Sequence, residues 1–366
     1  MGKSIIIFGF GDKGKKIINQ CLNYASGVDI IAIADNFFSD NRFRDIPVID
    51  PKDIKQYEYD EIWICTVYFE EIRKQLIEEY NIEPAKIYYE DVVMPVLDER
   101  LKKKYAEYVE NNPMEYPIEY MLCNRARMYC YPFFDEYLNK KTEVFHDAEC
   151  GLYYSIYCGK RMYLARSINT EQKARYYVNQ MLMEQDSRCP HCYWNFDKLS
   201  DVVGSVVDVG TAEGIFGLKI IEQVEHLYMI EVDEEWIEAL SKTYARYMEK
   251  VTIIKKLASS FDDSENIKLD TLFQNINIAA IKMDIEGMEL EALTGAKNII
   301  CKNNLLLAIC TYHHEEDNKK IGEFLKGIGY RCSNSEGWVI CQGEWELDRE
   351  ETGFRRALIF AEKRSV

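Results

Sequence analysis

Val206-Val207-Asp208-Val209-Gly210-Thr211-Ala212-Glu213-Gly214 is the stretch on which the fold turns. An apolar, β-branched run ends in an acid, meets a glycine turn and opens into a helix-forming segment. Strand, turn and helix in that order build an open α/β sheet, whose ligands collect outside the carboxyl ends of the strands. Gly210 and Gly214 suit a sharp turn and a close approach of ligand to main chain. About twenty residues on, the next expected strand ends in Glu231, where a carboxylate can accept both hydroxyls of an adenosine ribose. A dinucleotide site shares this layout but spaces its glycines Gly-x-Gly-x-x-Gly, whereas here they fall Gly-x-x-x-Gly behind Asp208. An acid at that tip repels a pyrophosphate and suits a ligand with a cationic amino-acid end. Any strand-turn-helix junction favours Gly and Asp, so the stretch gains force only from its companions.

Working outward, apolar runs predict strands at 205–209, 227–231, 251–255, 279–284, 305–310 and 357–361, with helices at 215–224, 234–247, 288–296 and 318–327. Upstream, 152–157 and 160–164 read as a β-hairpin about Gly159, followed by a helix at 170–183. The N-terminal ninety or so residues alternate in the same way, with strands at 4–8, 28–34, 61–66 and 86–89 and helices at 15–23 and 69–80. Between them, 94–145 is rich in tyrosine and charge and is broken by Pro113, Pro117 and Pro132, as expected of short packed helices. The expected class is α/β: two Rossmann-like domains joined by a helical connector. Domain 1–93 is of nucleotide-binding type, 94–145 is the connector, and 146–366 is the second domain with a lead-in at 146–200.

A formal net charge of −17 repels phosphate backbones, and the one basic run, Lys102 to Lys104, is short, so polymeric nucleic acid is not the expected partner. No stretch reaches the apolar length of a membrane span, and no secretory leader is evident. The 12 cysteines are scattered, several inside apolar runs such as those at Cys65, Cys310 and Cys341, as in a reducing cytoplasm.

The second constellation is Ile281-Lys282-Met283-Asp284-Ile285-Glu286-Gly287-Met288-Glu289, with Asp284 at the tip of the strand expected beside the first. Together with Ile267-Lys268-Leu269-Asp270-Thr271-Leu272, Leu293-Thr294-Gly295-Ala296 and the opening stretch, it resembles the FkbM family of methyltransferases. The resemblance runs from about 203 to 300 and more weakly beyond, with Thr211 in place of the usual alanine and Glu213 within the loop. It implies a class I S-adenosylmethionine (SAM) methyltransferase sheet and O-methylation of a hydroxyl on a sugar, glycan, nucleotide-sugar or other small molecule. It also implies that Asp208, Gly210 and Gly214 bind the methionine part of SAM, that Thr211, Glu213 and Asp284 belong to the cofactor site, that Glu231 holds the ribose, and that Asp284 and Glu286 lie near the methyl. N- or C-methylation stays open, as does the oligomeric state.

A sugar hydroxyl is a weak nucleophile and gains from a general base. Candidates are Asp284, Glu286, His313 and His191. His313 follows a predicted strand tip and so belongs on the ligand side, although a solvated loop histidine would occupy the same place. Glu286 could equally cap the helix that starts near Met288. Asp284 and Glu286 could bridge a divalent cation such as Mg²⁺, though nothing in the sequence demands one.

Cys189-Pro190-His191-Cys192 invites a zinc reading, but one Cys-x-x-Cys gives two ligands, and Cys150 and Cys158 would have to be recruited. No structural zinc is expected. A subgroup of the FkbM family resembles the chain further through Glu184-Gln185-Asp186, Pro190-His191 with Tyr193, and Thr311-Tyr312-His313. There the resemblance implies a polar cluster covering the SAM pocket and touching the acceptor.

Near the start, Gly9, Gly11 and Gly14 follow a strand, and Asp35 ends the next, matching the dinucleotide fingerprint. The stretch from Lys3 to Tyr89, with Ile46-Pro47-Val48-Ile49 and Tyr59-Asp60-Glu61-Ile62-Trp63-Ile64, resembles the small Rossmann-like domain in front of some carbohydrate-modifying enzymes. That implies a share in nucleotide-sugar binding; a ligand-free packing or dimerisation module fits the same pattern. Two further readings compete with methyl transfer: an NAD(P)-dependent oxidoreductase or epimerase built on Gly9 to Asp35, and a non-catalytic nucleotide-binding module.

Overall fold

The computed structural model describes residues 3–89, 120, 128–341 and 353–363, apart from 12–13, 16–17, 20–21, 23–27, 38–41, 67 and 139. The expected helix at 15–23 and most of the expected connector, 94–119 and 121–127, lie largely outside the described residues. The chain divides into two compact units, 1–127 and 128–366. The end of the stretch expected as connector belongs to the second unit, where Tyr129, Phe133 and Phe134 enter its core.

The N-terminal unit holds β1 (Lys3–Phe8), β2 (Val28–Ala34), β3 (Arg42–Phe43), β4 (Ile46–Ile49), β5 (Glu61–Ile64), α1 (Phe69–Glu78) and β6 (Ile87–Tyr89). Its sheet runs β3-β4-β2-β1-β5-β6, parallel throughout except for β3 against β4. Ile5, Ile6 and Ile7 are all fully buried, which requires cover on both faces and explains an unbroken apolar run rather than an alternating one.

The second unit opens with a short helix α2 (Asp135–Leu138) and a three-stranded antiparallel sheet, β7 (Phe145–Asp147), β8 (Leu152–Tyr157) and β9 (Lys160–Tyr163). The expected hairpin is therefore present, with a third strand added. Helix α3 (Glu171–Glu184) follows, capped by Thr170, whose side chain accepts from the Lys173 amide.

The main sheet is built from β10 (Ser205–Val209), α4 (Ile215–Ile220), β11 (His226–Ile230), α5 (Glu234–Thr243) and β12 (Val251–Ile254), followed by a small β13 (Leu257–Ala258)–β14 (Asn266–Ile267) pair and α6 (Leu269–Leu272). Beyond these come β15 (Ile278–Met283), α7 (Glu289–Thr294), α8 (Lys297–Lys302), β16 (Leu306–Cys310), α9 (Asp317–Gly327), β17 (Tyr330–Asn334), β18 (Val339–Ile340), β19 (Phe354–Arg355) and β20 (Leu358–Lys363). The strand order is β12-β11-β10-β15-β16-β20-β17, with β20 antiparallel to both neighbours and the first five strands parallel. This is the class I SAM methyltransferase sheet. The order of strand addition reverses between β10 and β15, and that switch point opens a crevice at the strand tips.

Strand positions match the sequence expectation within a residue or two. The expected helices at 215–224 and 234–247 end early, at Ile220 and Thr243, and β17 and α8 have no counterpart in the sequence reading. Strand β17 was obscured because its burial is mostly one-sided: Tyr330 is buried while Arg331, Ser333 and Asn334 are exposed.

Candidate functional site

The crevice is a cleft of about 720 Å³ whose walls include Gly210, Ala212, Glu231, Asp233, Trp236, Lys256, Asn266, Asp284 and Glu286. Apolar surface from Ile230, Leu257, Ala258, Ile285 and Met288 completes it. Four carboxylates thus face one lysine, so the cleft favours a cationic ligand.

Gly210 and Gly214 both take positive φ, +72° and +79°. A Cβ on Gly210 would lie 1.7 Å from the Asp284 carbonyl oxygen, and one on Gly214 would lie 2.8 Å from Leu240. These glycines let β10 close against β15 and α4 close against α5, so what crowds them is the protein itself; Gly210 also borders the cleft.

Asp208, Thr211, Glu213 and Gly214 do not line the cleft. Asp208 is fully buried, its Oδ1 3.0 Å from Lys282 Nζ, and that ammonium also donates to the Gly210 carbonyl at 2.6 Å. Burial pushes Asp208 up against the pull of Lys282, while Lys282, which burial alone would lower, is held above its ordinary value by Asp208 and Asp284. Thr211 donates to the Asp208 carbonyl at 3.0 Å, and Glu213 accepts from the Tyr177 hydroxyl at 2.7 Å. The acid at the first strand tip thus braces the strand through the buried Lys282. Lys282 was legible only as a lone cation inside an apolar strand.

Glu231 meets the expectation for position. It sits in the cleft at the end of β11, accepting from the Ala212 amide at 2.9 Å and from the Val232 and Asp233 amides at 2.7 and 3.0 Å. These bonds aim the carboxylate: Oε1 already takes two amides, and Oε2 keeps a lone pair for a further donor.

Beside this, a chain of alternating acids and imidazoles crosses the tips of β15 and β16. Asp284 Oδ2 accepts from the Tyr193 hydroxyl at 3.0 Å and lies 3.4 Å from His191 Nε2; its Oδ1 lies 3.5 Å from His313 Nε2. His191 Nδ1 stands 3.8 Å from Glu184, and His313 Nδ1 stands 3.1 Å from Glu289. Burial would raise Asp284, but His191, Lys282 and His313 hold it well below the usual carboxylate range. Burial would lower both histidines, yet the carboxylates win: Asp284 and Glu184 raise His191, and Glu289, Asp284 and Glu286 raise His313. Glu184 itself is pushed up to about 7 by burial, against the pull of His191.

The sequence thus brings together His191, Asp284, Glu286 and His313. Glu286 is no helix cap: it is exposed, and the loop amide of Ile285 donates instead to Glu289 at 2.8 Å. Glu289, buried at the start of α7, was quoted in the motif without a role. Cys189 and Cys192 are buried free thiols. Among the described residues, the groupings able to hold a metal are His191–Asp284–Cys310 and Asp284–Glu289–His313, neither of which uses the Cys-x-x-Cys pair.

In the N-terminal unit a second cleft, of about 530 Å³, includes Gly9, Gly11, Gly14, Asp35 and the exposed rings of Phe37 and Tyr68. Asp35 spends its carboxylate on the Phe10 and Phe37 amides, at 2.7 and 2.8 Å, tying the glycine loop to β2. A Cβ on Gly14 would lie 1.9 Å from the Gly9 carbonyl oxygen. Among the described residues, the charged lining of this cleft is Asp35 and Glu71.

The strand order and the acidic cleft over its switch point define the second unit as an α/β domain of the class I methyltransferase type. Within that class, residues 248–332 match the Methyltransferase FkbM domain, so this part of the chain carries an FkbM methyltransferase domain. Residues 1–88 match the C2185-like N-terminal domain. No curated protein matches the chain. Among solved structures, the chain is similar to the methyltransferase FkbM of Methylobacillus flagellatus (16% identity, 98% of this chain and 90% of that one, TM-score 0.39). It is also similar to an rRNA methylase from Streptococcus thermophilus (17% identity, 47% and 96%, TM-score 0.35). A third is M. capricolum TrmK in complex with S-adenosyl-homocysteine (12% identity, 47% and 69%, TM-score 0.32). No helix among the described residues is long and apolar enough to cross a membrane.

Proposed function

We propose that the second unit is a SAM-dependent methyltransferase acting on a hydroxyl of a sugar, glycan or nucleotide-linked sugar. The observation that carries this reading is the cleft over the switch point, where Glu231 is aimed by three amides and four carboxylates face one lysine. Such walls fit a ligand that is cationic at one end and carries a ribose and an apolar ring. Glu231 Oε2 would accept a ribose hydroxyl, and Trp236, Leu257 and Ala258 give the ring apolar cover.

When bound, SAM supplies a methyl already activated on its sulfonium, and the new O–C bond forms as the C–S bond breaks. What the chain contributes is alignment and proton management. The Asp208–Lys282 pair and the Gly210 turn hold β10 and β15 in register behind the reacting atoms. Asp284, His191, His313 and Glu286 stand where the acceptor oxygen would approach, and the hydroxyl proton leaves through that cluster.

The free thiols fit a cytoplasmic location. The N-terminal unit, with Gly9, Gly11, Gly14 and Asp35 about an aromatic-edged cleft, is assigned a share in holding a sugar or nucleotide-sugar. Calorimetry with SAM, NAD⁺ and UDP-sugars in turn tests the whole reading. Micromolar SAM binding with no NAD⁺ heat is expected; NAD⁺ binding without SAM binding would replace it with the oxidoreductase.

A further inference from the structure

The loop Thr311-Tyr312-His313 borders a second hollow of the same unit, of about 510 Å³, whose walls include Thr311, Asn318, Lys319, Asn334, Trp338 and Arg356. Among the described residues, its charged lining is Lys319, Arg355 and Arg356 against Glu315. A cationic hollow stands out on a chain of formal net charge −17. It is also the reverse of the methyl-donor cleft, where four carboxylates face one lysine.

Hydrogen bonds hold the donors of this hollow in place. Asn318 Nδ2 donates to Thr311 Oγ1 and to Asn334 Oδ1, both at 3.0 Å, which leaves the Asn334 amide nitrogen to donate elsewhere. The Arg356 guanidinium sits over the Trp338 ring, 3.9 Å from its centroid, and gives Nη1 to the Gly337 carbonyl at 3.1 Å. Arg355 Nη1 donates to the Tyr312 and His313 carbonyls at 2.7 and 2.6 Å, tying this wall to the loop that carries His313. Elsewhere in the unit Arg166 and Arg188 are bonded to carboxylates, which hold both above their ordinary value. Among the described residues, neither Lys319 nor Arg356 has a carboxylate within ion-pair distance, and burial draws Arg356 below its ordinary value. A half-buried guanidinium with N–H donors to spare and no counter-charge matches the fork geometry of a carboxylate or phosphate.

We infer that this hollow binds the anionic group of the methyl acceptor, a phosphate or a carboxylate, with Arg356 as the forked donor, Lys319 as a second charge and Asn334 as a neutral donor. The inference rests on the reading of the neighbouring cleft as the methyl-transfer site, and it narrows the acceptor to a phosphorylated or acidic sugar. Thr311 in the wall of the hollow is two residues from His313, whose Nε2 stands 3.5 Å from Asp284 Oδ1 at the cleft. Two residues of chain reach no further than about 7 Å, a separation that one sugar ring can bridge. An acceptor held by its anion can then present a ring hydroxyl to Asp284. The two sites divide the charge: the acidic cleft suits a cationic methyl donor, the basic hollow suits an anionic acceptor, and each repels the other's ligand.

The test titrates the full chain with glucose 1-phosphate, glucuronate and glucose, following each by saturation-transfer NMR at low salt. At least one anionic sugar should bind and neutral glucose should not. Preference for glucose 1-phosphate assigns the hollow to a sugar phosphate or nucleotide-linked sugar, and preference for glucuronate assigns it to an acidic sugar. Affinity should fall at least ~10-fold in Arg356→Gln and about 3-fold in Lys319→Glu, and should weaken as salt is raised. Lys319 is exposed, so the second variant keeps its fold. Binding of neither anion, glucose binding as tightly as both, or wild-type affinity in both variants overturns the site. SAM affinity, measured by calorimetry on the same preparations, should be unchanged in both variants. Anion binding that depends on Arg356 in a protein that binds no SAM would count against the methyltransferase reading and not against the anion site.

Discussion

Asp208 and Lys282 are register partners on adjacent parallel strands, and their side chains meet as a fully enclosed ion pair with Oδ1 3.0 Å from Nζ. A motif acid that would be read as a ligand contact is therefore the counter-ion of a buried lysine. Removing one member of such a pair strands the other in a low-dielectric interior, at a cost of about 3–5 kcal/mol. Asp208→Asn should lose about that much stability in urea unfolding, and Asp208→Leu combined with Lys282→Met should recover a large part of it. A stability within about 1 kcal/mol of wild type for Asp208→Asn would show the pair to be dispensable.

Glu231 is the acid that does face the cleft. Glu231→Gln keeps one acceptor oxygen but gives up the charge and the second acceptor, at about 1.5–3 kcal/mol for a charge-assisted hydrogen bond. SAM affinity by calorimetry should drop about 10- to 100-fold. The three backbone amides it serves would lose part of their partner, so a modest fall in melting temperature should accompany the loss. Undiminished affinity removes Glu231 from the cofactor site.

Glu184 gives the protein a pH dependence of definite sign. Its folded value of about 7 stands above the ordinary 4.5, so the folded state holds a proton that the unfolded state releases between those two values. Stability from this group is unaffected below about pH 4.5, declines as pH rises toward 7, and stays lowered above it. At 1.36 kcal/mol per unit the span is about 3 kcal/mol. Glu184→Gln should therefore gain stability relative to wild type at pH 8 and little at pH 5, as read by denaturant midpoints. Equal differences at the two pH values would show that Glu184 does not carry the effect.

What could be read from the sequence was what depends on neighbours in the chain. Strands such as β10 and β15 announce themselves because full burial selects unbroken β-branched runs, and Glu231 and Asp284 are found by counting to the strand tips. The partnerships could not be read that way. That Asp208 would face Lys282 follows from the register between β10 and β15, which is a property of the assembled sheet. Glu289 acts through a histidine on another loop, Glu184 through one a short way past the end of α3, and Glu213 turns toward Tyr177 on α3 rather than into the cleft. Strand β17 escaped because only one of its residues is buried, and its hydrogen bonds come from β20, which follows β18 and β19 in the chain.

That last arrangement has a consequence for how the protein is made. Strand β20 alone joins β17 to the rest of the sheet, and its side chains alternate between two cores: Leu358 and Phe360 on one side, Ile359 and Ala361 on the other. On a ribosome, then, neither face can be sealed until residue 361 has emerged, and β16 waits with an open, sticky margin during all the synthesis that precedes it. A nonsense codon between the end of β16 and residue 358 would leave not a shortened enzyme but an aggregation-prone half-sheet, a natural target for chaperones and proteases.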